Sequence, residues 1–102
     1  MKLLIVTSLK EYQGKVAKIF EQAKISVFSV SDTNGFKENN IPNLMDSWFA
    51  TGTEHFDSIF LFSFTEEHNA DLAMELIKDY NESKELEFPI RAFIVAVEKS
   101  SY

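Results

Sequence analysis

Residue types that could carry chemistry are few and scattered in this 102-residue sequence. It contains two histidines, His55 and His68, and no cysteine. Without thiolates the chain can form neither a disulfide nor a thiolate metal site, and it has no cysteine nucleophile. No serine, threonine or carboxylate pair stands at motif spacing from a base that would activate it. The sequence therefore predicts a protein that is not an enzyme.

His55 is the remaining candidate for a metal ligand, because Glu54 and Asp57 lie beside it in the sequence. A strand through these residues would send alternate side chains to opposite faces and would leave the ligand set incomplete. We therefore expect no metal site. His68 falls in the first turn of a predicted helix, and we expect it on the surface.

The composition is that of one acidic globular domain. The sequence is 45% hydrophobic and 25% charged, with a formal net charge of -6. Its length suits one hydrophobic core, so we expect a single domain over residues 1–102. The acidic balance argues against a nucleic-acid partner, which needs clustered Lys and Arg. No apolar run approaches the ~20 residues of a membrane span. We expect a cytoplasmic protein without membrane insertion.

Hydrophobic periodicity predicts the order β-α-β-loop-β-α-β. The predicted strands are Lys2 to Ser8, Ile25 to Thr33, Asp57 to Thr65 and Phe88 to Val97, and the predicted helices are Glu11 to Lys24 and Thr65 to Tyr80. With right-handed crossovers this is an α+β, ferredoxin-like βαββαβ fold, in which a four-stranded antiparallel sheet carries two helices on one face. Asn34-Gly35 is expected to stop or bend the second strand, and a long loop follows at 37–55.

The third predicted strand is apolar on both sides. Ile59 and Leu61 alternate with Phe60, Phe62 and Phe64. Two helices cover only one face of a sheet, and each large apolar side chain left in water forfeits roughly 1.5–3 kcal/mol. The sequence therefore predicts that another copy of the chain covers the second face. The alternative is a monomer whose long loop folds back over the sheet.

The segment Ser29-Val30-Ser31-Asp32-Thr33-Asn34-Gly35-Phe36 resembles a motif of the PII-like proteins, the superfamily of the nitrogen regulatory protein PII and CutA. In that family a Thr-Val-Thr-Glu-x-x-Gly-Phe pattern ends the second strand, before the long T-loop. The resemblance implies a homotrimeric signalling protein with adenine nucleotides in clefts between subunits. It places Ser29, Gly35, Phe36 and Lys37 in such a cleft. It also implies a target protein, such as a membrane transporter, contacted by the long loop.

Two segments depart from the family pattern where phosphate would bind. Lys37-Glu38-Asn39 stands in place of Gly-Arg-Gln, and residues 81–89 stand in place of a glycine-rich loop. The second segment contains three glutamates and no glycine, so it is a poor anion nest. Arg91 is the nearest cation that could replace the lysine of that loop. The effector is thus left undefined, with an adenine nucleotide as one alternative.

Large apolar residues stand at helical spacing in the long loop. They are Leu44, Met45, Trp48 and Phe49, and they follow Pro42. Aromatic side chains supply large contact area at low entropic cost, so we expect a partner-docking surface here. The alternative is that these side chains pack on the domain's own core.

Two other functional classes share the predicted topology. A CutA-like divalent-metal-binding or metal-efflux accessory protein is the first alternative, for which Trp48 and residues 85–90 are the supporting features. An enzyme or haem protein of the dimeric αβ-barrel type is the second, and it ranks below the first because no polar constellation lines the predicted sheet.

Overall fold

The computed structural model describes residues 1–36, 55–85 and 88–101, with the backbone alone at residues 35, 36, 55 and 56. The elements are β1 (Lys2–Leu9), a 3-10 turn (Lys10–Tyr12), α1 (Gln13–Gln22), β2 (Ser29–Phe36), β3 (His55–Thr65), α2 (Glu67–Lys84) and β4 (Arg91–Ala96). The strands form one antiparallel sheet in the order β2-β3-β1-β4. The predicted α+β, ferredoxin-like fold is therefore confirmed.

Alternation along the two central strands builds the core. Leu4 and Val6 of β1 are fully buried, as are Ile59 and Leu61 of β3, and Val6 lies directly opposite Leu61. This face receives both helices. The residues that α1 and α2 contribute to the core are Val16, Ile19, Phe20, Ala73 and Ile77.

Helix α1 is shorter than its hydrophobic pattern suggested. The pattern predicted a helix from Glu11 to Lys24, but a 3-10 turn precedes the α-helix, which ends at Gln22. Lys24 then adopts a left-handed backbone with φ 63°. The amide of Ile25 donates to the carbonyl of Phe20 at 2.8 Å, which satisfies one of the carbonyls left free at a helix end.

Helix α2 extends one turn past the predicted end at Tyr80. It continues to Lys84, and Glu85 ends it in a left-handed conformation with φ 47°. No glycine or proline stands between Tyr80 and Lys84 to stop it earlier. At the other end Glu66 occupies the N-cap position without a side-chain capping hydrogen bond.

Strand β2 lies further along the chain than predicted. It covers Ser29–Phe36, so Asn34-Gly35 does not stop it. Instead Asn34 lies opposite Asp57 and Gly35 opposite Phe56. The pairing partner explains the difference, because β3 begins at His55 and its first residues carry β2 onward. His55 thus belongs to a strand, and residues 37–54 of the expected loop lie outside the described residues.

Residues 25–28, predicted as strand, precede β2 and belong to no helix or strand. Ile25 is buried, and Val27 is 81% exposed. The hydroxyl of Ser63 donates to the carbonyl of Val27 at 2.7 Å. A side chain of β3 therefore fixes this segment where the backbone ladder has not yet begun.

The sheet face that points away from the helices carries large apolar side chains along β3 and on the adjoining parts of β1 and β4. We call it the open face. Ile5 lies opposite Phe62 on one side and Phe93 on the other, and Leu3 lies between Phe64 and Val95 in the same way. Phe64 is 56% exposed and Val95 45% exposed. No described helix packs on this face. The apolar side chains on it, together with the buried ones on the helix side, agree with the prediction that both sides of β3 are apolar.

Candidate functional site

A polar cavity lies at the sheet end where β2 and β3 run toward residues 37–54. Its volume is about 280 Å³. The lining residues are Lys10, Asp32, Thr33, Asn34, Asp57 and Ser58. Thr33 lies opposite Ser58, and Asn34 lies opposite Asp57, so the antiparallel register assembles most of the lining.

Charged groups lie at the mouth of this cavity and hydroxyl groups lie deeper. Lys10 Nζ is 3.5 Å from Asp32 Oδ2, and both side chains are more than half exposed. Ser58 is only 4% exposed. Thr33 Oγ1 is buried and has no hydrogen-bond partner within the described part of the chain. The cavity can therefore offer a small polar molecule both hydroxyl and charged contacts.

The residues expected in a ligand cleft lie on opposite edges of the sheet. Ser29 begins β2 and Gly35-Phe36 end it, whereas Arg91 begins β4. Two strands stand between β2 and β4. At ~4.8 Å per strand, roughly 14 Å separates the two edges. One chain therefore does not bring Ser29 and Arg91 together around a small ligand, and their role in binding stays a prediction.

Other predicted site residues fall outside the described residues. These are Lys37 and the proposed docking residues Leu44, Met45, Trp48 and Phe49. At His55 the strand backbone is described, opposite Phe36, but the side chain is not. Within residues 1–36, 55–85 and 88–101 no group of three or more His, Cys, Asp or Glu side chains is placed to hold a metal ion.

Sequence reasoning did not single out Lys10, Asp57 or Ser58 as lining residues of a polar cavity. Lys10 follows β1 in the 3-10 turn and belongs to no motif. The signal that would have found them is the β2–β3 register, which sets residues 57 and 58 against residues 33 and 34. That register depends on where β3 begins, which the sequence pattern misplaced by two residues.

Comparison with known proteins gives a structural match only. No protein-family model matches the sequence, and no curated protein matches it. Among solved structures, CPII from Thiomonas intermedia K12, a nitrogen regulatory PII-like protein, superposes with a TM-score of 0.62 and 9% identity, over 97% of this chain and 93% of that one. Its structure contains ADP, AMP and bicarbonate. A PII-like signalling protein from Thermus thermophilus gives a TM-score of 0.62 and 9% identity over 91% and 80% of the two chains.

The chain has a PII-like fold. The match covers nearly the whole of both chains in the first comparison, so the likeness concerns the domain as a unit and not one shared motif. At 9% identity it shows the fold alone. Within the described ranges no helix is long and apolar enough to cross a membrane.

Proposed function

We propose that this protein is a non-enzymatic, PII-like regulator of the cytoplasm that assembles as a homotrimer. It would bind a small effector between subunits and contact a target protein through residues 37–55. The observation that carries the proposal is the open apolar face on a PII-like fold. A ferredoxin-like domain hosts many functions, so the argument depends on this surface and on the residues beside it.

Self-assembly follows from the cost of leaving the open face in water. Phe60, Phe62 and Phe64 form a continuous row, with ring centroids 5.7 Å and 6.3 Å apart. Leu3, Ile5, Phe93 and Val95 extend the row sideways across β1 and β4. Large exposed apolar patches on soluble proteins mark interaction surfaces. A second copy presents a face of the same composition, which supports the homo-oligomer.

Effector binding is proposed at Ser29, Gly35, Phe36, Lys37 and Arg91, by their likeness to a PII-like cleft. CPII, which shares the fold, holds ADP, AMP and bicarbonate. The glutamates of residues 81–89 disfavour a polyphosphate, whereas a smaller anion needs fewer cations. Arg91 is exposed at the start of β4 and is available for such a contact.

Target recognition is proposed for Leu44, Met45, Trp48 and Phe49. Their density of aromatic and aliphatic groups is typical of a docking segment. The membrane transporter is the target class that PII-like proteins suggest, and it enters here as part of the proposal.

Light scattering after size-exclusion chromatography tests the assembly. We expect a mass three times the 11.7 kDa of the chain. Phe64→Glu puts a charge on the open face at a residue that is already 56% exposed, so the subunit should fold while the mass falls to that of a monomer. Val27→Glu is the matched control, because Val27 is exposed outside the strands. A monomeric wild-type protein would overturn the proposal.

Titration calorimetry with ADP, AMP and bicarbonate tests the effector. We expect at least one of the three to bind, and Arg91→Ala to weaken that binding tenfold or more. Lys78→Ala, which removes an exposed cation from α2, should leave it unchanged. If Arg91→Ala and Lys78→Ala bind the ligand with equal affinity, Arg91 is not a ligand-binding residue.

A further inference from the structure

A second cavity, with an apolar lining, lies between the end of α1 and the segment that leads into β2. Its volume is about 510 Å³, which is within the range of small-molecule sites. Its apolar lining residues are Ala17, Ile25 and Phe28. Ile25 is 3% exposed, and Phe28 packs edge-on against the core residue Phe20, with ring centroids 4.9 Å apart. The hydrophobic core therefore holds the apolar lining in place.

Two opposite charges stand at the rim of this cavity. Glu21 and Lys24 both belong to its lining, and both residues are exposed. The amide of Lys24 donates to the carbonyl of Glu21 at 3.0 Å, which fixes the two residues as neighbours at the end of α1. Among the residues that the structure describes, neither side chain takes part in an ion pair. Both charges are therefore available to a ligand.

We infer that this cavity binds a free α-amino acid with a large apolar side chain. The α-ammonium group of the ligand meets Glu21, its α-carboxylate meets Lys24, and its side chain lies against the apolar lining. Charge-assisted hydrogen bonds of this kind are stronger than neutral ones. A fatty acid offers no cation, and a peptide terminus offers only one of the two charges. A free amino acid carries both charges on either side of one carbon atom.

The end of α1 favours this orientation of the ligand. The last turn of the helix contains no basic residue, so the partial negative charge at its C-terminus has no cation within that turn. An ammonium group beside Glu21 is attracted both by that carboxylate and by the helix end. Lys24 follows the helix and is the lining residue that can attract the ligand's carboxylate.

This amino-acid cavity is separate from the effector residues proposed above. Ser29 follows Phe28 directly in the chain, but it lies opposite Phe62 and so faces the open face. Phe28 instead contacts Phe20 on the helix side of the sheet. All the lining residues come from one chain. The inference therefore goes beyond the proposed function and does not depend on self-assembly.

Titration calorimetry of the full chain with free amino acids tests the ligand class. The probes are L-leucine and L-phenylalanine, and we expect at least one of them to bind. Glycine lacks the apolar side chain, the N-acetyl derivative of the bound amino acid lacks the ammonium group, and its amide lacks the carboxylate. Each of these three should bind at least tenfold more weakly. Failure of both probes, or equal affinity for any of the three analogues, would overturn the inference.

A substitution at Lys24 tests the contact with the carboxylate without harming the fold. Lys24 has φ 63°, a left-handed conformation that glycine adopts without strain. Lys24→Gly should therefore keep or raise the melting temperature while the affinity for the amino acid falls tenfold or more. Lys18→Ala removes an exposed cation of α1 that does not line the cavity, so it is the matched control and should bind as wild type does. Equal affinities in these two variants would contradict the assigned contact.

A substitution at Ala17 tests whether the ligand lies in this cavity. Ala17→Met introduces a larger side chain from the cavity wall, and methionine is a good helix former, so binding should be lost while the helix persists. Glu21→Gln should weaken binding tenfold or more, with Glu75→Gln on α2 as its control. Binding that survives both Ala17→Met and Lys24→Gly would place the amino acid elsewhere and would overturn the inference. The proposed assembly and effector site would then stand unchanged.

Discussion

Asn81 near the end of α2 holds the backbone of Ile90 through two hydrogen bonds. Its Nδ2 donates to the Ile90 carbonyl at 2.8 Å, and its Oδ1 accepts from the Ile90 amide at 2.9 Å. Ile90 itself is 2% exposed and belongs to the core. The side chain of one residue thus acts as a strand partner for another, just before β4 begins.

Replacing Asn81 with alanine should destabilise the domain by about 2–3 kcal/mol, because two hydrogen bonds are lost and the buried backbone groups of Ile90 are left unpaired. For a domain of this size that lowers the melting temperature by roughly 10 °C or more. Calorimetry at fixed protein concentration measures it. Ser83→Ala, which removes an exposed hydroxyl bonded to the Tyr80 carbonyl at 3.2 Å, is the control and should change little. Equal melting of the two variants would show that Asn81 does not clamp the strand.

The element order could be predicted because each element has its own periodicity. The alternation of Ile59 and Leu61 with phenylalanines indicated a strand that is apolar on both sides, and the structure places these two sets on opposite faces. The ends of elements could not be predicted in the same way. β2 covers Ser29–Phe36 instead of the predicted Ile25 to Thr33. Its limits depend on pairing with β3, which is a tertiary contact.

The candidate site was predictable only in part, for a similar reason. The Ser29 to Phe36 motif lies along one strand, so a local pattern could identify it. Its distance from Arg91 depends on the strand order, which no local pattern contains. The ion pair between Lys10 and Asp32 joins a turn to an edge strand, and the Asn81 clamp reaches nine residues along the chain. Neither has a spacing that periodicity detects.

Leu61 and Phe62 are adjacent but should respond differently to truncation. Leu61→Ala empties a fully buried core position and should cost about 2–5 kcal/mol without changing the assembly. Phe62→Ala lies on the open face, so it should raise the protein concentration needed to keep the oligomer. Thermal melting and light scattering over a dilution series separate the two effects. A dilution profile for F62A that matches wild type would contradict the role of the open face.

Two hydroxyl groups on β2 and β3 should have opposite effects when removed. Thr33 Oγ1 is buried without a partner in the described structure, so Thr33→Val removes an unpaired polar group and should leave stability unchanged or raise it. Ser63 donates to the Val27 carbonyl at 2.7 Å, so Ser63→Ala should cost about 1 kcal/mol. Urea unfolding measures both. A destabilised T33V would indicate that a bound water or ligand uses this hydroxyl.

The ion pair at the cavity mouth should contribute little to stability. Lys10 Nζ and Asp32 Oδ2 are 3.5 Å apart, but their side chains are 58% and 72% exposed, so water and salt screen their attraction. A double-mutant cycle with Lys10→Met and Asp32→Asn should give a coupling free energy below about 1 kcal/mol, which decreases further in high salt. Urea unfolding of the four proteins measures it.

The coupling free energy between Lys10 and Asp32 decides whether the cavity can bind a charged ligand. A weakly coupled pair can open at little cost, so Lys10 remains able to turn toward a bound anion and Asp32 toward a cation. Lys2 of β1 and Glu67 of α2, a second ion pair at 3.8 Å with side chains 28% and 70% exposed, provide the reference cycle. A Lys10–Asp32 coupling free energy well above that of the reference pair, and insensitive to salt, would show a strong ion pair. An ionic ligand would then have to break that pair to bind, which would contradict the cavity as a site for charged ligands.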